Sequence, residues 1–285
     1  MEMRALKEGM STRFAPSPTG LLHLGHAYAA KFAYDLAKEE EVDFLLRFED
    51  IDTTRVRPEY YLEIEKDLTW LGLDWDGTPL RQTDRFTAYN RAMEELKSRQ
   101  LVYPCFCTRR EIQDEIAAMA GAPQGPEGPL YPGTCCSLTN GQAEERISAG
   151  EPHCWRLNAS EAGKQTGQLT FCDRIRGVVE VDPTLLGDVI LARRDIATSY
   201  HIAVVVDDAM QQITDVTRGE DLLASTHVHR LLQELLGYPE PVYHHHRLIL
   251  DANGVRLAKR DDPMSIRTLR ELGHSPEEVM EMISD

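Results

Sequence analysis

Apolar positions along the chain change period from segment to segment, and the changes mark out elements. Residues 11–14 (STRF) have the length and make-up of a short strand. The eighteen residues HLGHAYAAKFAYDLAKEE (23–40) then repeat apolar positions at helical spacing. VDFLLRF (42–48) is a nearly continuous apolar run of strand length. RPEYYLEIEKDLTWLG (57–72) reads as a helix with Pro58 in its first turn and Gly72 just past its end. Roughly the first 80 residues therefore predict β-α-β-α, the pattern of a doubly wound parallel sheet in an α/β protein. Such sheets bind ligands at the carboxyl ends of their strands.

The alternation stops between about Leu101 and Pro152, where GAPQGPEGPLYPG (121–133) is too rich in proline and glycine for a regular element and reads as part of an insertion. Three short strand patterns follow, HCWRLN (153–158), QLTFCDRIRGVVEV (168–181) and DVILARR (188–194). Residues 199–237 predict strand, strand and a helix ended by Gly237, with the apolar SYHIAVVVDD as the first of those strands. Two short helices close the chain, the second opened by Ser275, Pro276 and Glu278 as a capping box. The expected organisation is a first half-domain over 1–100, a connective insertion over 101–190, the second half over 191–240, and a loop with terminal helices over 241–285. No internal repeat is present.

Composition narrows this picture. The 285 residues are 42% hydrophobic and 27% charged, enough for a substantial core. No run approaches the roughly 18 apolar residues of a membrane span, and MEMRALKEGMS lacks a signal core, so a cytoplasmic protein without a membrane partner is expected. Acidic residues outnumber basic ones by 16, so any nucleic-acid contact requires a local basic face. Of six cysteines, Cys105, Cys107, Cys135 and Cys136 fall within 32 residues, which favours a metal over disulfides. Cys154 and Cys172 stand apart and are expected to be inert core thiols.

The stretch RFAPSPTGLLHLGHA (13–27) carries the first chemistry. Pro16, Pro18 and Gly20 fix the backbone of a loop suited to close approach by a ligand. His23 and His26 share one face of the following helix's first turn, where the backbone N–H groups favour anions, and Gly25 leaves room for a nucleoside. On spacing alone two helix-capping histidines remain an equal alternative. No Lys-bearing phosphate loop is present.

This stretch resembles the glutamyl version of the HIGH motif of class I aminoacyl-tRNA synthetases. RFEDID, YHIAVVVDD, VTRGEDLLAST and NGVRLAKR follow in that family's order, the last resembling its KMSKS loop. The resemblance covers nearly the whole chain and implies a Rossmann-type catalytic domain that activates an amino acid with ATP, accompanied by Mg²⁺, as an aminoacyl-adenylate. It implies His23, Gly25, His26 and Lys259 around ATP, with His23, His26 and Lys259 catalytic. Arg256, Leu257, Ala258, Lys259 and Arg260 form the KMSKS-like loop, in which Arg256 and Ala258 depart from the family's usual lysine and serine.

Charge selects the amino acid. Glutamate carries two carboxylates and one ammonium, and a partly dry site for it needs two cations and one anion. Arg13, Arg218 and Glu49 stand at strand ends near the expected site, and the resemblance places them in the L-glutamate site together with Phe14, Ala15, Pro16, Ser17 and Tyr200. Arginine pairing favours the charged side chain over that of glutamine.

Cys105 and Cys107, with Tyr131 and Cys135 beyond a long gap, have the paired spacing of a tetrahedral structural zinc, with Cys136 competing for the fourth place. One branch of the family carries Cys, Cys, Tyr, Cys, which favours Tyr131. His244, His245 and His246 are expected on a strand or sheet edge near the nucleotide, since strand neighbours face opposite ways and cannot readily converge on a metal. His227 and His229 do not share a helix face and are assigned no role.

Only 25 residues follow Arg260, so an anticodon-reading domain is not expected. The short zinc-bearing form resembles the glutamyl-queuosine branch of the family, which transfers activated glutamate to queuosine at the wobble position of aspartate tRNA. A monomer binding ATP, L-glutamate and queuosine-containing aspartate tRNA is expected. A catalytic body charging the tRNA 3′ end, or a non-catalytic glutamate sensor or tRNA-binding module, stay open as alternatives. No side chain declares itself the base for transfer.

Overall fold

The computed structural model describes residues 11–119, 123–249 and 265–284. In chain order the first half comprises β1 (Ser11–Phe14), α1 (Leu24–Glu39), β2 (Asp43–Phe48), α2 (Pro58–Trp70), β3 (Leu80–Arg81) and α3 (Phe86–Ser98). The connective region holds β4 (Val102–Cys105), α4 (Arg109–Ala118), β5 (Gln124–Gly125), β6 (Gly128–Pro129), α5 (Asn140–Ser148), β7 (Cys154–Leu157), α6 (Ala159–Thr166), β8 (Thr170–Asp173), β9 (Gly177–Glu180) and β10 (Ile190–Ala192). The remainder is α7 (Tyr200–Met210), β11 (Asp215–Gly219), α8 (Leu223–Leu236), β12 (Val242–His246), α9 (Ile266–Glu271) and α10 (Pro276–Met282).

The main sheet runs β3-β2-β1-β11-β12-β8-β9, all parallel except the β8–β9 hairpin. From β1 the chain winds one way to β2 and β3, and later the other way through β11 to β12. The switch point thus falls between β1 and β11, where such sheets bind ligands. β4, β7 and β10 make a separate three-stranded sheet that carries the insertion.

Two large apolar clusters, with smaller ones beside them, hold the layers among the described residues. One joins α1, α2, β1 and β2 to the terminal helices through Ala30, Phe44, Ile64, Leu68, Ile266 and Val279, all but dry. Each larger apolar side chain there contributes about 2 kcal/mol by burial. The other gathers α3, α7 and α8 around Leu96, Ile202, Val205 and Leu231. α8 stops at Gly237, whose φ of 65° is the left-handed conformation that ends a helix without side-chain strain.

The segment read as a first strand at SYHIAVVVDD is a helix, α7. Residues Ile202 to Asp208 are buried without exception, so α7 is enclosed on every side. A helix apolar all round shows no amphipathic period, and Val204, Val205 and Val206 mimic a core strand. QLTFCDRIRGVVEV is two strands of a hairpin rather than one. β12 is internal to the sheet, so its histidines are not at an edge. The terminal helices form as expected, including the Ser275–Glu278 capping box.

Candidate active site

α1 begins at His23, whose backbone N–H faces His26 Nδ1 at 3.3 Å, and the two rings stack with centroids 3.7 Å apart. A Cβ on Gly25 would lie 3.1 Å from the His23 ring, so glycine lets the rings close over the turn. His23, Gly25 and His26 border a cavity of about 160 Å³ with Gly219 at the end of β11 and His246 at the end of β12. The cavity sits at the switch point. Ser265 bridges to His23, and Ile266 donates its N–H to Leu22 O at 2.8 Å, which ties α9 to the same turn. The KMSKS-like residues Arg256, Leu257, Ala258, Lys259 and Arg260 lie outside the described residues.

A second cavity, of about 680 Å³, opens beside the first strands and is bordered by Ser17, Glu49, Arg156, Arg193, Tyr200 and His201. Glu49 follows directly on β2, with its N–H bonded to Pro16 O at 3.0 Å. Burial pushes its carboxyl up to about 7, against the lowering pull of Arg47 and Arg13. A carboxylate so poised gains strongly from an ammonium group beside it.

Below this cavity lies a cluster of buried charge. Arg13 grips Asp208 through Nε at 2.8 Å and Nη2 at 3.3 Å, and gives Nη1 to Thr217 O at 3.1 Å. Arg47, wholly buried on β2, reaches the same carboxylate at 2.7 Å and lies 3.9 Å from Glu49. Although desolvation opposes ionisation, Arg13 and then Arg47 hold Asp208 down at about 2. Phe14 is buried in the core of β1.

Neither Arg13 nor Arg218 borders the larger cavity. Arg218 lies behind it, 6% exposed, with Nη1 2.9 Å from His229 Nδ1 and its carbon 5.1 Å from the Tyr243 ring centre. The structure therefore brings Ser17, Glu49 and Tyr200 to one cavity and sets the two arginines in the layer beneath. His229, given no role from its helical spacing, sits in that layer. Arg47, Asp208 and His201 are further neighbours that motif reading passed over, although RFEDID and YHIAVVVDD border or contain all three.

The histidines of β12 diverge as their alternation requires. His244 bonds Asp215 at 3.2 Å, His245 bonds Asp173 at 2.5 Å and Thr226 at 2.8 Å, and His246 turns to the smaller cavity. His227 accepts from the Asp182 N–H through Nδ1 at 3.0 Å.

In the connective region the Sγ atoms of Cys105, Cys107 and Cys135 lie within 4.8 Å of one another. Tyr131 Oη stands 3.3 Å from Cys105 Sγ and 3.5 Å from Cys107 Sγ, completing a four-donor cluster that fits a tetrahedral thiophilic ion. Cys136, the next residue on, is exposed and lies outside the three-sulfur group. Cys154 is not solitary, since it pairs in register with Cys105, and Cys172 is exposed rather than a core thiol. Arg156 joins the cluster to the larger cavity: it lies 3.9 Å over the Tyr131 ring and also borders the cavity. Among the described residues no helix is long and apolar enough to cross a membrane.

The chain matches the tRNA synthetases class I (E and Q), catalytic domain, over residues 9–284. It is 48% identical to a protein of Rhodobacter capsulatus named glutamyl-Q tRNA(Asp) synthetase, over 96% of this chain and 99% of that one. A protein of the same name from Nocardia farcinica is 42% identical over 100% of this chain and 86% of its own. Among solved structures, a glutamate tRNA ligase from Elizabethkingia meningosepticum in complex with its amino acid superposes with a TM-score of 0.81 at 30% identity. That match covers 97% of this chain and 60% of the ligase, so the chain spans about three-fifths of that neighbour. With a Rossmann-type parallel sheet, a paired-histidine turn at its switch point and likeness over almost its full length, the chain belongs to the class I tRNA synthetases (E and Q) and, within them, to the family of the glutamyl-Q tRNA(Asp) synthetases.

Proposed function

We propose that this ligase activates L-glutamate with ATP and Mg²⁺ as glutamyl-adenylate without needing tRNA, then transfers the glutamyl group to queuosine in the anticodon of aspartate tRNA. The observation that carries the choice of target is the 48% identity, over nearly all of both chains, to the Rhodobacter capsulatus protein named for that activity. The geometry supports the first step. Glu49 pairs the α-ammonium, and Ser17 and Tyr200 line the amino-acid cavity. Arg13 and Arg218 provide the positive field beneath it. His23, Gly25 and His26 border the ATP cavity, and Lys259 of the KMSKS-like loop stabilises charge on the phosphates as pyrophosphate leaves.

Cys105, Cys107, Tyr131 and Cys135 would hold one structural zinc and so tie β4 to the Tyr131–Cys135 segment. With all four donors supplied by the protein, the site would leave no open place for substrate. The protein works in the cytoplasm as a monomer. Transfer of labelled glutamate to aspartate tRNA with and without queuosine tests the reading. Label should appear only on the queuosine-containing tRNA, and equal labelling of both would overturn it.

A further inference from the structure

Three side chains from three elements form a hydrogen-bonded row under the amino-acid cavity. Arg218 Nη1 on β11 lies 2.9 Å from His229 Nδ1 on α8, and His229 Nε2 lies 3.1 Å from His201 Nδ1 on α7. His229 is wholly buried. His201 borders the cavity, and among the described residues its Nε2 has no hydrogen-bond partner.

The direction of every bond in this row is dictated from one end. A guanidinium only donates, so His229 Nδ1 must accept. Burial, and then the nearby Arg218 charge, hold His229 neutral well below the ordinary histidine range, so its single proton is on Nε2 and points at His201. His201 Nδ1 must then accept. Burial and Arg218 bring His201 down to about 4, so it too is neutral and carries its proton on Nε2, the atom left for the cavity. The other groups facing the pair give no competing anion: Tyr200, whose ring is 5.4 Å from that of His229, together with Arg13 and His245.

We infer that His229 is a positioning residue that locks His201 as a hydrogen-bond donor into the cavity, and that His201 is thereby a specificity-determining residue reading a carboxylate oxygen of the amino acid in preference to a carboxamide. The inference rests on glutamate being the substrate. A neutral histidine can ordinarily exchange tautomers and accept from an amide N–H₂ as readily as it donates to an oxygen. Here exchange at His201 would set its Nδ1–H against the His229 Nε2–H, and a compensating exchange at His229 would set its Nδ1–H against the Arg218 donor. The locked donor is also polarised by the cation behind it, and it bonds more strongly to an ionised oxygen than to a neutral one.

Nitrogen-15 NMR of histidine-labelled full-length protein tests the row directly. Both rings should be neutral Nε2–H tautomers that do not titrate between pH 5.5 and 8. An Nδ1–H signal for His201, or titration of either ring in that range, would overturn the lock. Glutamate- and glutamine-dependent pyrophosphate exchange tests its consequence. His229→Leu should reduce the preference for glutamate at least about tenfold, mainly through KM for glutamate, the scale of one hydrogen bond to a charged group. His229→Gln, whose amide can accept from Arg218 and donate to His201, should restore most of that preference. An unchanged preference in His229→Leu would overturn the specificity role.

If that variant does not fold, His201→Phe, which leaves the Arg218–His229 bond in place, should raise KM for glutamate about tenfold with little change in KM for ATP. An unaltered glutamate KM would likewise overturn it. A wild-type protein without any glutamate-dependent exchange would remove the glutamate reading and with it the carboxylate half of the inference, while the nitrogen spectra still judge the row.

Discussion

Glu49 has opposite effects on stability and on binding. Its carboxyl, normally near 4.5, is raised by burial to about 7. The folded state therefore binds a proton that the unfolded chain releases, and this residue's contribution to stability declines as pH climbs from about 4.5 to 7. Binding an ammonium needs the ionised form, which accumulates above that range. The kcat/KM for glutamate in pyrophosphate exchange should accordingly fall on the acid side of about pH 7, nearly tenfold per unit. In Glu49→Gln the overall value should drop by about a hundredfold or more and that limb should disappear. Persistence of the same limb in the variant would assign it elsewhere. Asp208 has the reverse character, since two arginines share it and keep it ionised. Asp208→Asn would keep an acceptor oxygen but remove the charge shared by the buried Arg13 and Arg47, leaving Arg47 with Glu49 at 3.9 Å as its ion-pair partner. The expected cost is about 3–5 kcal/mol in denaturant unfolding, and a loss under about 1 kcal/mol would show that the cluster is not held together by this carboxylate.

The metal knuckle offers the corresponding test among the elements, because β4, the Tyr131 loop and the turn at Cys135 contribute to one cluster. Metal analysis should find about one zinc per chain, lost in Cys105→Ser and kept in Cys136→Ser. Release by the Cys136 change alone would reassign the ligand set. Removal of the ion should also disturb the larger cavity. Arg156 rests on Tyr131, while Arg194 donates to the carbonyls of Phe106 and Cys107 at 2.7 Å each. Much of this organisation was legible in the sequence. β1 occupies the residues expected, and α1, β2 and α2 fall within a residue or two, because each has a clear period or a punctuating proline or glycine. α7 was not legible, since a helix buried on every side has no polar face and its β-branched run imitates a strand. The row through His229 was also hidden. Helical spacing shows which residues of one helix share a face, but Arg218 and His201 reach His229 from other elements. Arg47 and Asp208 lie inside the quoted motifs, yet their pairing depends on α7 bringing Asp208 to Arg13 of β1 and Arg47 of β2.

The whole molecule must reconcile 47 acidic residues and 31 basic ones with a polyanionic partner. Long-range attraction cannot do this, so recognition has to be local. Arg55, Arg156 and Arg193 border the larger cavity. Arg193 pairs with Asp52 and Asp195, at 3.6 and 2.7 Å. In the proposed reading Ser17, Glu49 and Tyr200 at the larger cavity and the histidine turn at the smaller one serve glutamate and ATP, and all of them lie in the catalytic domain. Glutamate-dependent pyrophosphate exchange should therefore proceed with no tRNA present, and a strict requirement for tRNA would show that the amino-acid site is unfinished without it. The linkage of the product separates the two known targets within the family. Queuosine-containing aspartate tRNA trimmed of its 3′-terminal adenosine has lost the ribose used in ordinary charging but keeps the cyclopentenediol of the modified base. Transfer to the trimmed tRNA should match transfer to the intact one, and it should fall with rising salt as the local phosphate contacts are screened. Loss of transfer on trimming would return the chain to aminoacylation of the 3′ end.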